Sequence, residues 1–190
     1  TISNDGWQVI LFRIIIFFLL FNSINSDEIL SDEEYYDKGV SLYERGDFDE
    51  SFIVFFNLAE KGHSDSIFNL SNMYYEGVGT IQNYKLSLKY CWLCTLNGNK
   101  RCSKKVDKIK SKLSENVVEE IANQIPEILE KNFIEFNNFK SAFKLGFWFE
   151  NFSPEIDYEQ SYLWYSVSVS GGIYKAMKLR DRVGEEIEAE

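Results

Sequence analysis

Proline is nearly missing: Pro126 and Pro154 are the only two in 190 residues. So few breakers disfavour a loop-rich all-β chain and leave room for long helices. One histidine and three cysteines offer few zinc-ligand combinations, so no metal or other cofactor is expected. Basic residues are outnumbered by acidic ones, 20 against 30, for a formal net charge of −10. A phosphate backbone would be repelled, which argues against a nucleic-acid partner. A membrane-spanning helix needs about 20 apolar residues. The stretch from Val9 to Phe21 is only thirteen residues long, with Arg13 inside.

What is present suits a globular chain: 45% hydrophobic and 26% charged residues, which excludes a disordered polymer. Rings are abundant, with sixteen Phe and eleven Tyr. The length fits one domain or a small array.

Arg13, the apolar run Ile14 to Phe21 and the small polar stretch Asn22 to Ser26 follow the secretory signal pattern. The expectation is a signal region over 1–26 and a mature start near Asp27. A membrane anchor or a core helix are the alternatives. Residues 1–12, which begin with Thr1, read as upstream readthrough or a fragment edge. Export would mean the periplasm or medium in a bacterium, or the endoplasmic reticulum lumen in a eukaryote. There Asn69-Leu70-Ser71 and Asn151-Phe152-Ser153 would be glycosylation sequons. Contact with a membrane is expected only through an uncleaved signal segment.

Self-similarity organises the remainder. Phe48, Ser51 and Gly62 recur as Tyr84, Ser87 and Gly98 at an offset of 36, and Tyr84 and Gly98 recur as Tyr158 and Gly172 at 74, about two periods. A second helical pattern precedes each copy, over Tyr36–Tyr43, Ile67–Tyr75 and Ala142–Phe149. Phe48, Phe52, Phe55, Phe56 and Ala59 fall on one helix face, as do Leu88, Cys91, Trp92 and Thr95. Asp47, Asn83 and Asp157 are placed as N-caps, and Gly62, Gly98 and Gly172 as helix stops. Each copy is therefore an antiparallel helix pair that must stack on its neighbours to bury its apolar face.

Residues 114–136 interrupt the repeats. Val117, Val118, Ile121, Ile125, Ile128 and Leu129 make one stripe, and Pro126 is expected to kink or restart that helix. It reads as an inserted helix over the open end of the second unit.

These residues resemble a known family. Gly77-Val78-Gly79-Thr80-Ile81-Gln82-Asn83-Tyr84 is similar to the Gly-x-Gly-x-x-x-Asp-Tyr connector of Sel1-like repeats, and Leu70-x-x-Met73-Tyr74, Lys89-Tyr90 to Gly98 and Tyr162-Leu163-Trp164-Tyr165 fit the same pattern. The resemblance covers about residues 33–112 and 137–180. It implies an all-α solenoid of tetratricopeptide-like helix pairs. The sequence departs from the family where Ser71 replaces a Gly, where Cys94-Thr95 replaces an Ala pair, and where Asn151 to Ile156 has lost its glycines and one residue. The cysteine-rich branch of the family staples consecutive helices with spacing like that of Cys94 and Cys102, shifted here by about one residue. A bridge and two small core residues both fit that pair. By analogy with related solenoids, first helices line a concave side, where Asn69, Asn72 and Lys144 are the candidates for contacting a partner.

No catalytic constellation is expected. Ser141-x-x-Lys144 and Ser114-Glu115-Asn116 lack the α/β scaffold and the Lys-Thr-Gly element of penicillin-recognising enzymes. Gly77-Val78-Gly79 has no preceding strand and no Lys-Ser/Thr, so it reads as a turn and not a phosphate loop. Cys91-Trp92-Leu93-Cys94 lies mid-helix, away from the N-terminal dipole that activates a redox thiol. His63 reads as structural or solvated. Seven cations between Lys100 and Lys112 oppose a stripe of Cys102, Val106, Ile109 and Leu113, which suits a solvated helix face or a patch for an acidic partner or anionic lipid.

The expected organisation is a signal region at 1–26, two repeats and a following helix at 27–112, an inserted helix at 113–136, and a third repeat with an acidic C-terminal helix at 137–190. The expected function is an exported, non-catalytic adaptor for a protein partner. The alternatives are a cell-wall-directed enzyme of the cysteine-rich type and an envelope structural or stress protein without a fixed ligand.

Overall fold

Residues 30–189 are described by the structure, a computed structural model. The signal region and the start at Asp27 lie outside them. The chain divides after Tyr35 into two units. In the first, Ser31 and Glu34 form a capping box: the Ser31 amide donates to the Glu34 carboxylate at 2.9 Å, and the Glu34 amide to the Ser31 hydroxyl at 3.2 Å.

Ten helices and no strand occur among the described residues. The first pair is α1 (Asp32–Arg45) and α2 (Phe48–Glu60), and the second is α3 (Ser64–Glu76) and α4 (Tyr84–Leu96). Two short helices follow, α5 (Lys100–Ser103) and α6 (Val106–Lys110), then the long α7 (Glu115–Phe136). The third pair is α8 (Phe139–Asn151) and α9 (Tyr158–Ser170), followed by α10 (Ala176–Ala189).

One contact recurs in all three pairs. The buried hydroxyl of Ser51 donates to the Gly39 carbonyl, that of Ser87 to Ser71 and that of Ser161 to Gly146, each at 2.8 Å. A small residue on the first helix lets the second approach this closely. A Cβ on Gly146 would come within 2.6 Å of the Tyr165 ring, and one on Gly39 within 2.8 Å of Phe55. The turns repeat as well: Gly62, Gly98 and Gly172 all have φ 87°, in the left-handed region expected of helix stops.

Asn83 and Asp157 cap their helices, accepting from the amides of Leu86 at 3.0 Å and Gln160 at 2.8 Å. Asp47 does not: its side chain accepts no cap bond and pairs with Arg45 instead, at 3.2 Å. His63 is the N-cap of α3, its Nδ1 accepting from the Ser66 amide at 3.3 Å. In the second connector Gly79 is pressed against backbone, since a Cβ there would lie 2.3 Å from the Phe48 carbonyl oxygen. The third connector closes without glycine. The Asp157 amide donates to the Phe149 carbonyl at 3.1 Å, as Asn83 does to Tyr74 at 2.8 Å.

Two elements differ from expectation. The cation-rich run is not one helix: it breaks after Ser103 into α5 and α6, while Cys102, Val106 and Ile109 still point inward. Pro126 does not restart α7, which runs 22 residues through it. Its buried stripe, Ile121, Ala122, Ile125 and Leu129, packs against α4 and α8 and joins the second pair to the third. Trp92 and Trp148 meet edge to face there, ring centroids 5.2 Å apart. Burying each such side chain is worth about 1.5–3 kcal/mol.

Candidate functional site

Two grooves carry the residues singled out in the sequence. The first lies between α1 and α3 and encloses about 310 Å³. Residues four apart on α1, near one helical turn, and three apart on α3 face the same space. Thus Tyr36, Val40 and Tyr43 meet Asn69, Asn72 and Met73 there. The Asn69 amide donates to the Tyr36 hydroxyl at 3.3 Å, and Asn72 Oδ1 accepts from Lys105 Nζ. Both asparagines are partly buried, where exposed positions were expected. Each still keeps hydrogen-bonding capacity for a ligand, because a primary amide has two donors and an acceptor with two lone pairs. Tyr43 is 39% exposed at the rim, and its ring contacts Phe48, 38% exposed, at 5.1 Å.

Lys144 is not in that groove. It lines a second one of about 480 Å³, with Glu60, Tyr90, Leu93, Ile128 and Glu135. The three candidate residues therefore do not form a single face. Burial, with Glu60 as a second cause, pushes the Tyr90 phenol above its ordinary range. Burial lowers the Lys144 ammonium, and the like charges of Lys140 and Lys175 lower it further.

Cys94 and Cys102 are joined by a disulfide, with Cα atoms 5.9 Å apart, between α4 and α5. Cys91 is free and buried, and its thiol donates to the Cys102 carbonyl at 3.2 Å. Burial raises that thiol to about 11, so it is protonated and poorly nucleophilic at neutral pH. Among the described residues no group of three His, Cys, Asp or Glu is placed to hold a metal ion, and no helix is long and apolar enough to cross a membrane.

The sequence did not reveal how the cations of α5 and α6 fold back on the second pair. Arg101 lies over the Phe68 ring at 4.3 Å and also pairs with Asp65. Lys105 and Lys108 lie over Tyr75 at 5.1 and 5.0 Å. A second unforeseen network joins Glu150 to the Tyr165 hydroxyl at 2.8 Å and to Arg182 of α10. Only the charge of these residues was visible beforehand, because their partners are 15 to 36 positions away.

No protein-family model matches the chain, and no curated protein matches it. Among solved structures, it is similar to a protective antigen present in uropathogenic Escherichia coli strains, displaying an SLR fold. That similarity has 18% identity over 80% of this chain and 33% of the antigen, with a TM-score of 0.42. It is also similar to a Sel1 repeat protein from Oxalobacter formigenes, with 16% identity over 77% of this chain and 57% of that one, at a TM-score of 0.40. The chain thus spans about a third of the first protein and a little over half of the second. The repeated hydroxyl-to-carbonyl contact and the repeated turns of this chain themselves make it an all-α array of antiparallel helix pairs.

Proposed function

We propose that the helix pairs form a non-catalytic protein-binding module of an exported protein, and that the α1–α3 groove holds the partner. The observation that carries this reading is the pairing of Asn69 and Asn72 with half-exposed rings in one groove. Amides with spare donors and acceptors suit a peptide backbone, and the Tyr43 and Phe48 rings supply an apolar anchor at the rim. Exposed apolar surface continues on α2 at Ile53 and Phe56, and patches of this kind bordered by polar groups mark interaction sites. A pull-down with the tagged protein tests it. The double change Asn69→Ala and Asn72→Ala, or Tyr43→Ala, should reduce partner capture while far-ultraviolet circular dichroism stays unchanged. Undiminished capture in both would exclude this groove, and a substrate turned over by the purified protein would overturn the non-catalytic reading.

Export is supported by the signal pattern before Ser26 and by the disulfide, a bond that persists in oxidising compartments. Intact-mass measurement on exported native protein should give a start near Asp27. Retention of residues 14–21 would refute cleavage there.

A further inference from the structure

Two open hollows lie side by side along α7. One, of about 860 Å³, is walled by α6, α7 and the third connector, and the other, of about 710 Å³, by α7, that connector and the start of α9. Glu119, Ser153, Pro154 and Glu155 border both, so the two form one groove. Its floor is apolar: Trp92, Val106 and Ala122 are buried there, with Val118 and Phe152 half-buried beside them. The third connector is the facing wall, where Pro154 and Ile156 are exposed. On α7, Glu115, Val118, Glu119, Ala122 and Asn123 follow steps of three and four and so share one face. From Glu115 to Asn123 that face is about 12 Å long, at about 1.5 Å of rise per residue. An extended peptide covers this length with about four residues.

The charge on the groove is nearly all of one sign. Asp107, Glu115, Glu119, Glu155, Asp157 and Glu159 line it, with Lys110 as the single base among the lining residues. Acids elsewhere on the surface are matched: Glu120, next to Glu119, pairs with Lys85 at 3.2 Å, and Glu135 with Lys131 at 3.8 Å. Among the described residues, none of Glu115, Glu119, Glu155 and Glu159 takes part in an ion pair. The acids are also dispersed over α6, α7, the connector and α9, and among the described residues no three are placed to hold a metal ion.

We infer that this groove docks a basic segment of a protein partner, an extended peptide that carries lysine or arginine beside apolar residues. Dispersed acids match several separate cations better than one multivalent ion. Alternate side chains of an extended chain point the same way, so apolar ones can seat on the floor. The long stems of lysine or arginine then reach over apolar surface to the acids at the rim. A second copy of the chain is a poor occupant, because each carries a net charge of −10 and repels the other. The groove shares no residue with the α1–α3 groove, and the inference does not rest on the reading of that one.

The probes are dye-labelled five-residue peptides: lysine alternating with leucine, lysine with serine, and glutamate with leucine. Fluorescence anisotropy reads their binding to the whole protein. The lysine–leucine peptide should bind saturably, the lysine–serine one at least about fivefold more weakly, and the glutamate–leucine one without saturation. Glu119→Gln with Glu155→Gln should weaken the lysine–leucine peptide by about tenfold and flatten its dependence on salt. Val118→Ser should weaken it by about threefold or more. Asp49→Asn with Glu50→Gln makes the same charge change on α2 and should alter affinity by less than about twofold. If Val118→Ser fails to fold by circular dichroism, the exposed Glu119 and Glu155 pair carries the test. No saturable binding of the lysine–leucine peptide, equal binding of the glutamate–leucine one, unaltered binding in the Glu119 and Glu155 variant, or an equal loss from the α2 changes would overturn the inference. Loss of binding in Asn69→Ala with Asn72→Ala would overturn it too, by placing the peptide in the α1–α3 groove. So would self-association of the protein that the peptide displaces, which would assign the groove to a second copy.

Discussion

Ser71 and Ser87 donate to each other's backbone carbonyls, at 2.9 and 2.8 Å, across the buried seam between α3 and α4. The other two pairs have glycine where Ser71 stands and make only one of these bonds. Serine in place of that glycine thus leaves neither hydroxyl of this seam without a partner, since each satisfies the opposing helix.

Removing one side of this exchange should be costly for its size. Ser87→Ala leaves the Ser71 carbonyl and loses a packed hydroxyl, for an expected loss of about 1–2 kcal/mol. Ser71→Gly installs the residue of the other two pairs yet should also destabilise, by about 1 kcal/mol, through helix propensity and the lost bond. Urea denaturation followed by circular dichroism measures both. A neutral Ser71→Gly would mean that the second bond adds nothing.

Gly79 and Gly98 both have positive φ, at 65° and 87°, but differ in surroundings. Nothing lies within 4 Å of a Cβ on Gly98, whereas one on Gly79 would meet the Phe48 carbonyl. Gly98→Ala should cost about 1 kcal/mol of backbone strain. Gly79→Ala should cost at least about 2 kcal/mol more than that, as steric overlap is added. The difference between the two denaturation midpoints is the quantity to compare.

Thiol titration of exported protein under denaturing, non-reducing conditions should find one free thiol, Cys91, and three after reduction. In the folded protein Cys91 should react slowly at neutral pH, because burial protects it and holds it protonated. The bridge closes a short loop, so reduction should lower stability by about 2–3 kcal/mol. Three reactive thiols before reduction would exclude the bridge.

Lys144→Met should stabilise the fold, by on the order of 1 kcal/mol, by removing a poorly solvated cation. The pH dependence follows from the direction of its shift. The folded protein holds the proton less tightly than the unfolded chain, whose lysine titrates near 10.5. The penalty is therefore present in full at neutral pH and is relieved as pH rises through the lowered folded value. The stability gap between variant and parent should be widest near pH 7 and narrow above it. A destabilised variant at neutral pH would show that the Lys144 stem contributes more by packing than its charge costs.

Local chemistry made most of the fold legible. The glycine stops, the Asn83 and Asp157 caps and the apolar faces each depend on residues within a turn of one another, so spacing alone exposes them. The break between α5 and α6 was not legible, because the stripe of Cys102, Val106 and Ile109 suits one helix as well as two. Of the two outcomes Pro126 allowed, a kink or a restart, the restart is absent: packing of Ile125 and Leu129 against α4 and α8 outweighs one missing amide. The candidate surface was half legible. Asn69 and Asn72 share a helix face and hence a groove, while Lys144 lines another groove formed with α7, an insertion whose docking is a long-range matter.

The hydroxyl-to-carbonyl seam spans 12, 16 and 15 residues in the three pairs, yet ends in the same 2.8 Å bond. Connector length is therefore a degree of freedom that helix pairing does not consume. The third connector has shed its glycines and a residue without loosening Ser161 from Gly146. A connector can change length while the seam keeps its bond, provided that it avoids a packed position such as Gly79. The connectors, more than the helices, are where one lineage can acquire a specificity that its relatives lack.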